Sequence, residues 1–358
     1  MSTPLVLVTG GTGFVAKWVI AELLRANYRV RTTVRNPSRS TEIHASLREA
    51  GITESQITSS LEVATADLLS DEGWEPAMAD VTYVQHLASP VPAVVPENED
   101  ELIKPAVEGT TRVLRAAAAA GSVRRIVVTS SICAVYGWGE AARQKKVFTE
   151  ADWTDVSAGS RANAYTKSKT LAERAAWEFV EHLKESGSSP QLEMTVINPG
   201  LVLGPALGKE DGTSLSAVAG ILDGSVPGVP RMQLGVIDVR DCATMHVAAM
   251  TEPKAAGERF ISIGEGSLWI ADVGRILKRN LGERGKNVTT WQMPDLLVRA
   301  AALFLPAVRQ SVEDLGVERE MNCSKAKELL GWEWKYSSEE AVLATAESLL
   351  KFRAEQSN

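Results

Sequence analysis

Leu5-Val6-Leu7-Val8-Thr9-Gly10-Gly11-Thr12-Gly13-Phe14-Val15-Ala16 joins an apolar run, a glycine cluster and the start of an amphipathic segment. The run Leu5–Thr9 reads as a strand covered on both faces, the kind that builds parallel sheets. Gly10 and Gly13 let the backbone turn tightly into a helix reaching about Asn27, whose free N–H groups and dipole favour an anion. Ala16 stands where a dinucleotide fingerprint has its third glycine, a position that accepts Gly or Ala. A glycine pair that follows a strand and opens a helix points to a pyrophosphate site on a parallel sheet.

Outward from this turn, strand and helix signals alternate. Tyr28–Val34, Leu61–Thr65, Val81–Ala88, Arg125–Ser131 and Glu193–Gly200 read as further strands. Glu101–Ala120 and the run through Tyr165–Trp177 read as helices. The alternation predicts an α/β fold, a doubly wound parallel sheet of the Rossmann kind with right-handed crossovers. Beyond Gly200, closely spaced Gly and Pro residues predict loops and short helices. Gly235–Val239 and Arg259–Ile263 are expected to return to the sheet or its edge, and Asp241–Met250, Ala271–Asn280 and Ser338–Lys351 to be helical. The expected organisation is a dinucleotide-binding domain over 1–200, with returning strands near 235–263. A smaller, mostly helical substrate-binding domain over 201–358 is interleaved with it.

The second strand discriminates between dinucleotides. NAD sites place Asp or Glu about 20 residues after the glycines to hold the ribose 2′-hydroxyl. Here the strand ends Val34-Arg35-Asn36-Pro37-Ser38-Arg39, without an acid. Arg35 can present a planar fork to a 2′-phosphate and Arg39 can add charge, which favours NADP(H). Asp67, at the third strand's end, is placed either to reach an adenine amino group or to cap the turn after it. His86 lies in an apolar run and reads as a core histidine.

Composition narrows the partners. The net charge of −7 and the absence of a basic run exclude a nucleic-acid surface. Cys133, Cys242 and Cys323 are odd in number and far apart, so neither a disulfide framework nor a zinc site is expected. His44, His86, His182 and His246 lack metal-ligand spacing, and no metal is expected. Leu296–Val308 contains Arg299 and Pro306 and is too short to span a bilayer. With no signal peptide visible, a cytoplasmic protein without membrane partners is expected.

Asn163-Ala164-Tyr165-Thr166-Lys167-Ser168-Lys169 carries the chemistry. Tyr165 and Lys169 are four residues apart and share one helix face, whereas Lys167 points elsewhere. An ammonium beside a phenol favours phenolate and lowers its pKa from about 10, the arrangement of a proton-transfer pair. The fifth strand ends in Thr129-Ser130-Ser131, at the sheet edge where open α/β folds bind ligands.

These motifs, with Asp67-Leu68, Asn198-Pro199-Gly200 and the closing Ser324-Lys325-Ala326-Lys327-Glu328-Leu329-Leu330-Gly331-Trp332, resemble the extended short-chain dehydrogenase/reductases over nearly the whole chain. The resemblance is to the dihydroflavonol 4-reductase-like branch that includes microbial NADPH-dependent aldehyde and ketone reductases. It implies that Tyr165 donates the proton, that Lys169 holds the nicotinamide ribose, and that Ser131 binds the substrate carbonyl. The implied cofactor set is Gly10, Thr12, Gly13, Phe14, Val15, Arg35, Asp67, Leu68, Ala88, Ser130, Tyr165, Lys169, Pro199 and Val202. Ser130 is the weaker serine for the substrate, because side chains alternate along a strand. The supporting asparagine of the family has no clear match; Asn163 stands too near the tyrosine.

Ile132-Cys133 replaces the Asp-Glu pair of the sugar dehydratases, and the Asn-Trp-Tyr-Cys-Tyr-Gly-Lys of cinnamoyl-CoA reductases is kept only at Asn163, Tyr165 and Lys169. The expected activity is NADPH-dependent reduction of a small or medium apolar aldehyde or ketone, by a monomer or homodimer. Its pocket walls are expected from Ser89–Val95, Ile132–Trp138 and Leu201–Pro230, including Val91, Val94, Leu201 and Leu215. Two alternatives use the same fold: an NAD-dependent nucleotide-sugar epimerase, and a non-catalytic NADP-sensing regulator.

Overall fold

β1 (Leu5–Thr9) is buried along its whole length and feeds two layers at once. Val6 and Val8 face one core with Trp18, Leu203, Val236 and Val342, while Leu5 and Leu7 face another with Val84, Leu114, Ile126 and Val180. Alternation of side chains along a strand makes this division, and a helical layer on each face completes it. The computed structural model describes residues 3–89, 98–137, 145–160, 162–189, 191–209, 212–305, 308 and 312–356.

After β1 come α1 (Phe14–Arg25), β2 (Arg29–Val34), α2 (Ser40–Glu49), α3 (Glu54–Ser60) and β3 (Leu61–Thr65). Next are α4 (Trp74–Met78), β4 (Val81–His86), α5 (Asp100–Ala120), β5 (Arg125–Thr129) and the short β6 (Val147–Phe148). α6 (Ala164–Ser186) leads to β7 (Glu193–Pro199), β8 (Leu201–Leu203), α7 (Thr213–Asp223), β9 (Gln233–Asp238) and α8 (Val239–Thr251). β10 (Arg259–Ser262), β11 (Ser267–Trp269), α9 (Ile270–Leu281), α10 (Asp295–Ala301), β12 (Glu320–Met321), α11 (Ser324–Leu330) and α12 (Ser338–Gln356) follow.

Seven parallel strands form the main sheet in the order β10-β7-β5-β4-β1-β2-β3. The order reverses between β1 and β4, and the crevice beyond their carboxyl ends is where doubly wound sheets bind ligands. The Rossmann reading of the sequence is therefore the observed fold. One strand departs from expectation. Arg259–Ser262 joins the sheet edge beside β7, but Gln233–Asp238 does not; it pairs with β8 and antiparallel β11 in a separate three-stranded sheet. β10 occupies the edge of β7, Arg259 opposite Val196, so that place is closed to β9, which pairs with β8 and β11 instead. Ser130 and Ser131 also lie just beyond β5 rather than within it.

α8 closes one face of the sheet through buried polar contacts. Gln85 Nε2 donates to the His246 carbonyl at 2.9 Å, Thr129 Oγ1 meets His246 Nε2 at 2.9 Å, and Arg125 donates to the Ala249 carbonyl at 2.9 Å. Among the described residues, no helix is long and apolar enough to cross a membrane.

Candidate active site

The glycine turn is built by contact. Gly10 adopts φ +71°, and a Cβ on Gly11 would fall 2.1 Å from Thr32 Oγ1, a hydroxyl fixed by its own bond to the Val8 carbonyl at 2.8 Å. Only glycine lets β1 leave the sheet this close to β2. Gly13 then caps α1 without a side-chain bond, and the first helical bond runs from Lys17 N to the Gly13 carbonyl at 3.0 Å. The N–H groups of Phe14, Val15 and Ala16 thus precede the hydrogen-bonded ladder, as an anion site at a helix start requires. Thr12 and Val15 are half-buried at this turn, and Phe14 packs inward. These residues fit a pyrophosphate.

The other expected cofactor positions line the carboxyl ends of β1 to β4. Thr9 Oγ1 accepts from Leu87 N and Ala88 N, at 3.1 and 3.0 Å, tying the β4 exit to the glycine turn. Arg35 is exposed at the β2 exit and makes no ion pair among the described residues. Arg39 is paired with Glu42, which also meets the buried Lys17 at 3.3 Å. Asp67 Oδ1 accepts from Leu69 N at 3.0 Å, so its carboxylate shapes the turn after β3. Leu68 is buried against α5, and its carbonyl accepts from Arg112. Pro199 ends β7, whereas the Val202 side chain packs in the main core.

Tyr165 and Lys169 stand on the first turns of α6, which Asn163 caps by accepting from Thr166 N at 2.8 Å. The asparagine that the sequence left without a role is this cap. Lys167 points away and pairs with Glu99 at 2.7 Å. Ser131 is extended, its Oγ accepts from Cys133 N at 3.2 Å, and its hydroxyl lies near enough to Tyr165 to favour the phenolate. Lys169 Nζ donates to Ser89 Oγ at 3.2 Å. Ser131, Tyr165 and Lys169 are thereby brought into one group at the sheet's carboxyl edge. Ser130 faces the other way: its Oγ is buried and unpaired, while its N–H bonds the Ile197 carbonyl at 2.8 Å.

The electrostatics differ from the sequence expectation. Burial, then the Cys133 thiol, push the Tyr165 pKa above its ordinary value, and the Ser131 hydroxyl only partly opposes them. Tyr165 is 37% exposed as a whole, yet burial is the leading influence on its hydroxyl. Lys169 does not lower the tyrosine here, because its ammonium is directed at Ser89. Burial instead brings Lys169 itself down to about 8, against the opposing pull of Cys133 and Glu173. His86, bonded to Thr9 Oγ1 at 2.9 Å, is pushed down to about 3 by burial and then by Lys169, which makes it a neutral core histidine.

Residues to which the sequence reading gives no role of their own complete the site. Asn198 Nδ2 donates to the Ser131 carbonyl at 3.2 Å and to Glu173 Oε2 at 2.8 Å. Tyr136 lies under the Arg319 guanidinium, 4.7 Å from its ring centre, and Arg319 pairs with Asp314 at 2.6 Å, both buried. Burial, then Cys133 and Asp314, raise the Tyr136 pKa. Ile132, Val135, Tyr136, Phe148, Ile261 and Ile263 form a small apolar cluster beside Ser131. Leu215 packs in the main core, Leu201 is half-buried against it, and Val91, Val94 and Trp138 lie outside the described residues. Among the described residues, no group of three or more His, Cys, Asp or Glu is placed to hold a metal ion.

Known proteins resemble the chain in sequence and fold. Residues 6–264 match the model of the NAD dependent epimerase/dehydratase family. The chain is 35% identical over 261 residues to tetraketide alpha-pyrone reductase 2 of Arabidopsis thaliana, covering 72% of this chain and 77% of that one. It is 35% identical over 262 residues to dihydroflavonol 4-reductase of Zea mays, covering 72% and 69%. The structure of yeast methylglyoxal/isovaleraldehyde reductase Gre2 complexed with NADPH superposes with a TM-score of 0.78 at 26% identity, over 98% of this chain and 99% of that one. The chain belongs to the NAD dependent epimerase/dehydratase family, in the dihydroflavonol 4-reductase-like branch of the extended short-chain dehydrogenase/reductases.

Proposed function

We propose that this protein is an NADPH-dependent carbonyl reductase acting on small or medium apolar aldehydes and ketones. The observation that carries the reading is the meeting of Ser131, Tyr165 and Lys169 beside a turn fitted to a pyrophosphate. Arg35, unpaired at the β2 exit with Val34 in the acid position, supports NADP(H) over NAD(H). Bound NADPH supplies hydride to a carbonyl carbon. Ser131 hydrogen-bonds the carbonyl oxygen and Tyr165 gives it a proton as negative charge develops there. A phenol held protonated by burial is already in the acid form that reduction needs. Lys169, whose ammonium is held at Ser89 beside the β4 exit, orients the cofactor ribose.

In this reading residues 201–358 form the substrate-binding part, interleaved with the dinucleotide-binding part, and the apolar cluster beside Ser131 forms one pocket wall. The free state of Cys133, Cys242 and Cys323 suits a reducing cytoplasm, and the working unit is a monomer or homodimer. The test is NADPH oxidation with a panel of aldehydes, diketones and β-keto esters. Turnover of apolar carbonyls with NADPH ahead of NADH is expected. Protein that purifies with bound NAD and reduces none of the panel would overturn the reading.

A further inference from the structure

Glu173 lies one turn beyond Lys169 on α6 and is 1% exposed. A carboxylate that deep needs its charge answered. Its Oε1 accepts from Arg259 Nε at 2.5 Å and from Trp177 Nε1 at 3.4 Å, and its Oε2 accepts from Asn198 Nδ2 at 2.8 Å. Asn198 donates through the same nitrogen to the Ser131 carbonyl. Arg259 is equally committed. It donates to the carbonyls of Glu150 and Asp152, each at 2.8 Å, and to that of Ala134 at 3.5 Å, and it stacks 3.7 Å over Trp153. One carboxylate therefore joins the helix that carries Tyr165 and Lys169, the β7 end, the β10 edge and the turn that carries Ser131.

We propose that Glu173 is a positioning residue for the reduction: through Asn198 it fixes Ser131 relative to α6, and from one turn along the same helix face its charge favours the Lys169 ammonium. This rests on the carbonyl-reductase reading. The geometry calls for such a device, because Ser131 follows a strand and Tyr165 opens a helix, and no backbone ladder joins the two. Of the other groups facing Lys169, Cys133 on the Ser131 turn acts in the same sense, but burial raises its pKa and favours the neutral thiol. His86, on β4, is neutral, and Ser89 offers only a hydroxyl. Glu99, before α5, is taken by Lys167.

Three variants test this. Asn198→Ala cuts the link to Ser131 and leaves the Glu173–Arg259 pair whole. It is expected to lower kcat about 10- to 100-fold, as a small misplacement of a reacting group does, with NADPH affinity unchanged. Glu173→Gln removes the charge but strands a buried guanidinium, so the paired Glu173→Met, Arg259→Met variant removes both charges at similar volume. In whichever of the two folds, the pH midpoint of Lys169, read by trace acetylation of that residue, is expected to move down as the ammonium loses that favouring charge. Asn198→Ala should leave that midpoint in place. Wild-type kcat in Asn198→Ala, or an unmoved Lys169 midpoint in a folded Glu173 variant, overturns the inference. Wild-type protein that reduces no carbonyl would overturn the function instead, and the Lys169 titration would still decide the role of Glu173.

Discussion

Tyr165 illustrates how little one residue's neighbours in sequence say about its protonation. The lysine one turn away was expected to draw the phenol toward ionisation, yet burial dominates and the hydroxyl stays a proton donor. Tyr165→Phe is expected to cut turnover by about 10²–10⁴-fold while the fold and cofactor binding persist. Lys167→Ala, which breaks only the pair with Glu99, should change turnover little. A Lys167 effect equal to that of Lys169 would refute the assignment. At the β2 exit, Arg35→Ala should weaken NADPH binding by about 1–3 kcal/mol and scarcely touch NADH. Equal losses for the two cofactors, measured by titration, would remove Arg35 from the 2′-phosphate site. Tyr165, Lys169, Arg35 and the glycines can be proposed from sequence because the structure keeps them where spacing within one turn or one strand end puts them. Asn198, Glu173 and Arg319 cannot, since each acquires its partner only when distant segments meet; Asn198 and Ser131 are 67 positions apart.

Among the elements, the β1–α1 turn is the tightest join. A side chain at Gly11 must displace Thr32, which is fully buried and bonded to β1. Gly11→Ala is therefore expected to cost about 1–3 kcal/mol, the usual range for overpacking. Adding Thr32→Ala should recover part of that loss, because it removes the clashing hydroxyl. Chemical denaturation of the three variants checks this, and an additive double variant would show that the two positions do not collide. The strands of the main sheet were readable as apolar runs between turns, and their ends moved by a residue or two. β9 was misplaced for a different reason. Its pattern suits any strand with one covered face, and it does not announce that the partners are the short β8 and β11 rather than a strand of the main sheet.

At the scale of the molecule, two histidines sit where water cannot reach. His86 and His246 are brought from 6.5 to about 3 and about 4, both chiefly by burial. Above about pH 6.5 both are neutral whether the chain is folded or not, and their contribution to stability is complete. Below that, the unfolded chain takes up protons that the fold refuses, so stability falls with pH; the His246 share levels near pH 4 and the His86 share near pH 3, where each charges in the fold. The loss is on the order of a few kcal/mol. Melting temperatures followed from pH 7 to 4 should decline accordingly, and His246→Gln should flatten the decline. An unaltered slope in that variant would assign the acid sensitivity to other groups.

His246 also carries a consequence for how the protein is made. Its carbonyl is the partner of Gln85, and its ring the partner of Thr129, both on strands the ribosome releases more than a hundred residues earlier. The edge strand beside β7 emerges later still. A growing chain thus holds a sheet with part of one face uncovered, the edge of β7 open and unanswered amide and hydroxyl groups until about residue 262 has left the exit tunnel. Completion of the sheet is therefore expected to follow release of α8 and β10, and chaperone protection of the uncovered face to matter most over that stretch of translation.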